Sequence, residues 1–142
     1  MTAQPAGLRA IAIAVVRRAD GALLVTSATE PGTGRVLVRP PGGGIDPGES
    51  AAEAVVRELR EELGVEAGAV RPLGELEHRV SFAGRELHER VSVFAATLPD
   101  APLPPTTDAG HPVWWLAADL FADPAIELVP VGLVALLDGL PG

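Results

Sequence analysis

The sequence predicts an α/β (α+β) domain in which a mixed β-sheet lies between helices. Short runs rich in apolar and β-branched residues alternate with turns that contain Gly or Pro, as expected of strands. One segment instead has the 3.6-residue periodicity of an amphipathic helix. The elements follow the order strands, helix, strands, helix, which favours a mixed sheet packed between helices. The length of 142 residues suits a single domain that covers residues 1–142.

The first elements form a hairpin signal that is followed by a third strand. Leu8–Arg17 and Ala22–Ser27 are apolar runs on either side of a turn at Ala19–Gly21, so we predict a β-hairpin. Ala28–Gly34 contains Pro and Gly and is predicted to be a loop. Arg35–Arg39 alternates in polarity and is predicted to be a strand.

The central segment combines a Gly- and Pro-rich loop with the predicted helix. Pro40–Gly48 holds three Pro and four Gly, which predicts irregular backbone. Ser50 followed by Glu53 has the pattern of a capping box, and Gly64 is a typical helix stop. Between them, apolar residues recur at the spacing of a one-sided helix, at Ala52, Val55, Val56, Leu59 and Leu63.

The second half of the chain contains two long strands and several shorter elements. Val70–Phe82 and Glu86–Leu98 are predicted to be strands joined around Ala83–Gly84. The Pro-rich segment Leu98–His111 predicts a long surface loop. The remaining predictions are a short strand at Pro112–Leu116, a helical turn at Asp119–Phe121 and an apolar C-terminal helix at Val129–Leu137.

The composition excludes several chemistries. The chain has no Cys, and all eleven of its basic residues are Arg, which excludes disulfides, thiolate zinc sites and a phosphate-binding lysine. The net charge of −8 argues against a nucleic-acid or anionic-membrane partner. The apolar stretch Ala10–Val16 is far shorter than the roughly 18 residues of a membrane span. Because a signal-peptide pattern is also missing, we expect a cytoplasmic protein.

Three glutamates share one face of the predicted helix. Glu58, Glu61 and Glu62 are spaced at i, i+3 and i+4, away from the apolar stripe. Like charges this close repel, and a hard divalent cation such as Mg²⁺ or Mn²⁺ would relieve the repulsion while also binding phosphates. A solvated acidic helix face is the alternative explanation of the three glutamates.

The residues around this acidic face favour the cation site. Arg57 can hold a carboxylate through two parallel hydrogen bonds, and Glu49 lies within its reach. The glycines at 42–44 allow the backbone to approach a metal or a phosphate closely. A plain solvated helix face would leave the glycine loop, Glu49 and the adjacent Arg57 and Glu58 unexplained.

The stretch from Gly43 to Val65 resembles the Nudix box, G-x5-E-x7-R-E-U-x-E-E-x-G-U, in which U is aliphatic. All nine fixed positions are matched over 23 residues, at Gly43, Glu49, Arg57, Glu58, Leu59, Glu61, Glu62, Gly64 and Val65. The order of elements also resembles that of a Nudix domain over most of the chain. The resemblance implies an α/β/α sandwich with a mixed sheet.

The resemblance further implies a hydrolase that cleaves the pyrophosphate bond of a nucleoside diphosphate linked to another group. Metal ions would screen the phosphates and activate water, which explains how an acidic protein binds an anion. The implied metal ligands are Glu58, Glu61, Glu62 and the carbonyl of Gly42. The implied catalytic residues are Glu61, Glu58, Arg57 and Glu49, of which Arg57 and Glu49 would orient the helix.

The general base and the substrate contacts are less defined. The base is a glutamate of the box or a later one, for which Glu86 and Glu89 are candidates. The adjacent His88 and Glu89 are similar to a His-Glu pair in some Nudix proteins. Arg39 is a candidate phosphate contact, with ordinary surface pairing as the alternative. The candidate substrate-binding residues are Arg39, Gly43, Gly44 and Glu89.

Other residues carry weaker signals. His78 and His111 lack ligand spacing and are expected to be structural. Trp114 and Trp115 would point to opposite faces of a strand. One is expected in the core, and for the other core packing is favoured over an interface or a stacked base. A homodimer is a further expectation from the resemblance.

The substrate and one alternative function stay open. The chain has no Tyr, which weakens a dinucleoside polyphosphate substrate, and Ser81 stands near where many ADP-ribose hydrolases carry Pro. Nucleoside triphosphates and nucleotide-sugars remain as candidates. The alternative is a non-catalytic nucleotide-binding or sensor domain of Nudix type, although such a sensor need not retain all three glutamates.

Overall fold

A computed structural model describes residues 7–138 of the chain. It contains strands and helices in the predicted order, which confirms the α/β class. The predicted domain covers residues 1–142, of which 1–6 and 139–142 lie outside the described residues. The elements are β1 (Arg9–Val15), β2 (Leu23–Thr29), β3 (Val36–Arg39), β4 (Gly42–Gly44), α1 (Ala51–Leu63), β5 (Val70–Phe82), β6 (Arg85–Ala96), β7 (Val113–Leu116), a 3₁₀ turn (Ala118–Leu120), β8 (Glu127–Leu128) and α2 (Leu133–Asp138).

The strands form two four-stranded sheets with the orders β4-β1-β6-β5 and β7-β2-β3-β8. Each sheet contains one parallel pair, β1 with β6 in the first and β3 with β8 in the second. The other pairs are antiparallel. Both sheets are therefore mixed, as the sequence predicted, although it did not indicate that there would be two.

Strand β1 separates two hydrophobic cores. Its larger side chains Ile11, Ile13 and Val15 belong to a core that includes residues of α2. Its small side chains Ala12 and Ala14 belong to a second core formed with α1. Because strand side chains alternate between faces, the alternating Ile and Ala residues allow α1 to pack closely on one face while branched side chains fill the other.

The predicted hairpin between the first two strands is wrong in its pairing. Arg17 and Leu23 form an isolated antiparallel bridge next to the predicted turn. Beyond this bridge, β1 pairs with β4 and β6, whereas β2 pairs with β3 and β7. Both edges of β1 are already taken by strands of its own sheet, so β2 continues into the other sheet.

The prediction of irregular backbone fails for the glycines at 42–44, which form the short strand β4. Gly43 pairs with Ala12, and Gly42 pairs with Ile13. A Cβ atom on Gly42 would lie only 2.1 Å from the carbonyl oxygen of Ala12. The absence of a side chain is therefore what allows β4 to lie against β1.

Helix α1 begins and ends where the sequence predicted. Ser50 accepts a hydrogen bond from the Glu53 amide, and the Glu53 side chain accepts one from the Ser50 amide, which forms the capping box. Gly64 ends the helix in the left-handed conformation with φ of 68°. Its buried residues Val55 and Leu59 pack on the alanine face of β1.

The C-terminal helix begins later than predicted. Within the described residues it starts at Leu133, because Val129 still donates a 2.8 Å hydrogen bond to the Val38 carbonyl and so continues the pairing of β8 with β3. Its residues Leu133 and Leu137 pack into the core on the isoleucine face of β1. Helices α1 and α2 therefore cover opposite faces of this sheet. Between residues 7 and 138, neither helix has the length and apolar character needed to cross a bilayer.

Candidate active site

Arg57 connects the loop, the glycine strand and the acidic face of α1. Its Nε and Nη2 atoms donate to the two carboxylate oxygens of Glu49 at 2.8 and 2.9 Å. Its Nη1 donates to Glu58 at 3.0 Å and to Glu61 at 3.1 Å. Nη2 also donates to the carbonyl of Gly44 at 2.9 Å. These contacts use all five N–H groups of a guanidinium.

Glu49 is fixed from two sides. Besides the contact with Arg57, one of its oxygens accepts a 3.0 Å hydrogen bond from the Asp46 amide. Hydrogen bonds from Arg57 and from this amide hold the pKa of Glu49 at about 2, well below its ordinary value of 4.5. The same contact acts on Arg57, because hydrogen bonds with Glu49 and Glu58 raise the pKa of its guanidinium. The loop before α1 is therefore tied to the helix by an ionised pair.

Glu58 and Glu62 lie beside the glycine strand. A Cβ atom on Gly43 would be 2.7 Å from the Glu58 carboxylate carbon, so only a glycine leaves space for that carboxylate. Burial raises the pKa of Glu62 to about 7, and the negative charges of Glu58 and Asp108 add to the increase. The positive charge of Arg39 and a hydrogen bond with the Gly42 backbone lower the pKa of Glu62 and so oppose this increase.

Glu61 is more exposed than Glu58, although both accept hydrogen bonds from Nη1 of Arg57. Its side chain is 52% exposed and is bonded to Arg57, whereas the side chain of Glu58 is 15% exposed. In the described range 7–138, no three His, Cys, Asp or Glu side chains are already gathered into a metal site. The oxygen donors of Glu58 and Glu62 nevertheless suit a hard divalent cation, which would offset the burial and repulsion that raise the pKa of Glu62.

A pocket of about 180 Å³ lies between the two sheets, near the acidic helix. Two predicted substrate-binding residues, Arg39 and Glu89, line it, and the charge of Arg39 acts on Glu62 of α1. The full lining is Thr26, Ser27, Ala28, Leu37, Arg39, His78, Val80, Phe82, Leu87, Glu89, His111 and Val129. The other two predicted substrate contacts, Gly43 and Gly44, lie on β4 against Glu58 and Arg57.

The remaining candidates of the β5–β6 hairpin lie outside the pocket. Glu86 is exposed near the tip of the hairpin and accepts a hydrogen bond from Ser81. His88 contacts Glu77 at 3.0 Å on the outer face of the hairpin, with its side chain 19% exposed. Neither side chain lines the pocket between the sheets.

Sequence reasoning missed two residues near the candidate site, His78 in the pocket and Asp108 near Glu62. His78 is only 5% exposed and lines the pocket beside Glu89, its cross-strand partner. The predicted turn at Ala83–Gly84 already fixed this register, so the pairing of positions 78 and 89 was available from the sequence. Asp108 lies in the Pro-rich loop, whose approach to Glu62 is a tertiary feature.

The two tryptophans point to opposite faces, as predicted, and both pack against a core. Trp114 packs against the core that contains α2 and donates a 3.2 Å hydrogen bond to the Ser27 hydroxyl. Trp115 packs against the core that contains α1, and the Arg18 guanidinium lies 5.2 Å from the centre of its ring. Both side chains therefore stabilise the fold.

Comparison with known proteins is consistent with this geometry. Residues 7–135 match the model of the NUDIX domain family. The fold resembles a MutT NUDIX hydrolase from Burkholderia pseudomallei, with a TM-score of 0.69, 22% identity and coverage of 95% of this chain and 99% of that chain. It also resembles the MutT protein from Methanosarcina mazei Go1, with a TM-score of 0.66, 20% identity and coverage of 92% and 91%.

A NUDIX hydrolase from Nitrosomonas europaea is similar as well, with a TM-score of 0.62, 20% identity and coverage of 93% of this chain and 87% of that chain. No protein with curated annotation matches the sequence. At these identities, the solved structures show a shared fold, while the family model covers nearly the whole described chain. The chain therefore belongs to the NUDIX domain family.

Proposed function

We propose that this protein is a divalent-metal-dependent pyrophosphohydrolase. Its substrate would be a small nucleotide in which a nucleoside diphosphate is linked to another group, such as a nucleoside triphosphate or a nucleotide-sugar. The observation that carries the proposal is the set of five hydrogen bonds by which Arg57 joins Glu49, Glu58, Glu61 and the Gly44 carbonyl. This network holds an acidic helix face against a glycine strand, an arrangement suited to a cation and a phosphate.

Some residues of this site would bind the cation, and others would position the helix that carries its ligands. Glu58, Glu61, Glu62 and the carbonyl of Gly42 would hold Mg²⁺ or Mn²⁺, and Arg57 and Glu49 would orient the helix that carries the three carboxylates. The bound cation would neutralise phosphate charge and make water a stronger nucleophile. Glu61, whose side chain is the most exposed of the glutamates that contact Arg57, is our candidate to accept the proton of the attacking water.

The charge of the protein supports a role for the cation. With a net charge of −8, the chain repels an anionic substrate at long range. Within the site, Arg57 donates all of its N–H groups to protein acceptors, so a phosphate can bind it only by displacing one of them. A divalent cation and Arg39 would therefore supply the positive charge that a diphosphate requires.

The test is release of phosphate or pyrophosphate from a nucleotide panel in the presence of Mg²⁺ or Mn²⁺. Wild type should turn over at least one member only with metal, and Glu61→Gln and Glu62→Gln should lose most of that activity. Glu66→Gln is the matched control, because Glu66 lies just beyond the box and forms an exposed ion pair with Arg60, which is not one of the fixed box positions. Absence of metal-dependent turnover, or full activity of both box variants, would contradict the proposal.

The same panel distinguishes the non-catalytic alternative. A sensor domain would be stabilised thermally by a nucleotide without hydrolysing it. The cytoplasmic location and the homodimer are separate predictions, which cell fractionation and light scattering would test.

A further inference from the structure

A second cavity lies at the end of the β5–β6 hairpin that is opposite to the pocket between the sheets. Its volume of about 540 Å³ falls within the roughly 300–1,000 Å³ range of small-molecule sites. Strand β5 contributes Arg71 to this cavity and His78 to the other pocket, and the two positions are roughly 20 Å apart along the strand. No residue from Gly43 to Val65 lines the second cavity, which is therefore separate from the candidate active site.

Two arginines of this cavity flank the end of strand β6. Val15, Ala95 and Arg71 are partners in one row across β1, β6 and β5. Because neighbouring strands are about 4.8 Å apart, the backbones of Val15 and Arg71 are separated by roughly 10 Å. Arg17 follows Val15 and lines the same cavity. The short side chain of Ala95 leaves the space between the two arginines open.

Arg17 is held in place but keeps most of its hydrogen-bonding groups free. Its Nε donates to the carbonyl of Gly21 at 2.8 Å, and its guanidinium carbon lies 5.3 Å from the centre of the Phe121 ring. These contacts orient the planar group while using one of its five N–H groups. Within residues 7–138, no hydrogen bond or ion pair occupies the two Nη atoms.

The cavity also has an excess of positive charge. Arg71 is exposed and has no ion pair or side-chain hydrogen bond with any residue from 7 to 138. The third arginine of the lining, Arg18, is paired with Asp20 through hydrogen bonds of 3.0 and 2.8 Å. Asp20 is the one acidic residue in the described lining, so the charges of Arg17 and Arg71 stay uncompensated there.

The floor of the cavity favours binding of an anion over simple solvation of the arginines. Val15 and Leu137 line it and are each 3% exposed, so one side of the cavity is apolar. The attraction between opposite charges is stronger beside such a surface than in bulk water. Two guanidinium groups that face one cavity also repel each other, and a bound anion would remove this repulsion.

We propose that this cavity is a second anion site, which binds a small molecule with two or more phosphate groups between Arg17 and Arg71. The paired N–H groups of a guanidinium match the oxygens of a phosphate. A chain of phosphates can reach both arginines, whereas a single phosphate is too small to bond well with both. The inference goes beyond the proposed function, because the site uses no box residue and requires no hydrolysis.

Calorimetric titration with inorganic tripolyphosphate in EDTA tests the site, since this probe has no base and EDTA removes cations from the box. Wild type should bind one tripolyphosphate per chain, and orthophosphate more weakly. Arg17→Gln and Arg71→Gln should each weaken tripolyphosphate binding by about 10-fold or more, the scale of a hydrogen bond to a charged group. Arg85→Gln is the matched control, because Arg85 is also exposed but lines neither cavity.

Amide chemical shifts would locate the bound probe. Tripolyphosphate in EDTA should shift the signals of Gly21, Arg71 and Ala95 more than that of Gly43 in the box. Absence of binding, unchanged affinity in both cavity variants, an equal loss in Arg85→Gln, or shifts confined to the box would overturn the proposal. Nucleotide hydrolysis is measured separately, so an anion site in a protein without turnover would preserve this inference and contradict the proposed function, and the reverse result would do the opposite.

Discussion

Arg57 and Glu49 are joined by two parallel hydrogen bonds, from Nε and from Nη2 to the two carboxylate oxygens, at 2.8 and 2.9 Å. Glu49 precedes helix α1, whereas Arg57 lies within it. The paired contact therefore fixes the rotation of the helix relative to the loop that precedes it. Because Glu58 and Glu61 are bonded to the same guanidinium, this rotation also sets the positions of two box carboxylates.

Replacing Arg57 by Lys should reduce kcat/KM by about 10²-fold while the protein stays folded. Lysine keeps the charge but cannot reproduce the paired geometry, and misplacement of catalytic groups by about 1 Å has an effect of this size. Steady-state kinetics with the best substrate of the panel would measure it. Arg60→Lys, on the exposed Arg60–Glu66 pair, serves as the control and should be neutral. Wild-type kinetics for Arg57→Lys would show that the paired geometry is dispensable.

Glu49 should make the protein less stable in acid. Its pKa is about 2 in the folded state against an ordinary value of 4.5, because it accepts hydrogen bonds from Arg57 and the Asp46 amide. The unfolded chain therefore binds more protons between these values, and the free energy of unfolding falls as the pH drops from about 4.5 toward 2. Urea unfolding over this range should show a steeper loss for wild type than for Glu49→Gln. Equal slopes would count against the ionised pair.

Glu62 should make the folded protein less stable as the pH rises from about 4.5 to 7. Burial raises its pKa to about 7, so the folded state binds more protons than the unfolded state between about 4.5 and 7. The free energy of unfolding in EDTA should therefore decrease as the pH rises through this range, and Glu62→Gln should remove that part of the decrease. Addition of Mg²⁺ at pH 8 should restore stability to wild type. A Glu62→Gln profile parallel to wild type would refute the assignment.

Gly42 and Gly44 should respond differently to the same substitution. A Cβ atom on Gly42 meets the backbone of Ala12 at 2.1 Å, whereas one on Gly44 meets the flexible end of the Arg9 side chain at 2.9 Å. Gly42→Ala should therefore lower the free energy of unfolding by about 1–3 kcal/mol or more, as overpacking does. Gly44→Ala should be close to wild type in the same urea experiment. Similar stabilities of the two variants would contradict the close approach of β4 to β1.

Gly43 should affect activity more than stability. Its Cβ atom would lie 2.7 Å from the Glu58 carboxylate, a side chain that can move away. Gly43→Ala should therefore displace Glu58, weaken metal binding and lower kcat/KM at limiting Mg²⁺. Metal titration by calorimetry would test this, with the unfolding free energy measured in parallel. Unaltered metal affinity would argue that Glu58 is not a ligand.

Local signals were predicted well from the sequence. The capping residues Ser50 and Gly64 set the limits of α1 through contacts within a few residues, and the structure confirms both ends. The β5 strand matches its predicted range Val70–Phe82 for a similar reason, since alternation and a turn at Ala83–Gly84 define it. Each of these features depends on neighbouring residues in the chain, and so it can be recognised without knowledge of the fold.

Features that depend on distant partners were predicted poorly. The two strands on either side of the turn at Ala19–Gly21 separate because β4 and β6 compete for β1, which no local pattern indicates. Gly42–Gly44 becomes a strand only because β1 is present beside it. The approach of Asp108 to Glu62 likewise depends on how the Pro-rich loop folds.

The position of β1 between the two cores limits which side chains its residues can have. Its central residues Ile11–Val15 are at most 3% exposed, so none of them can vary as a surface residue does. A larger side chain at Ala12 or Ala14 would push α1 outward, and its carboxylates with it. Substitutions in β1 that keep this packing are therefore those that preserve the alternation of large and small side chains, so the packing of both cores and the position of the α1 carboxylates depend on the same residues.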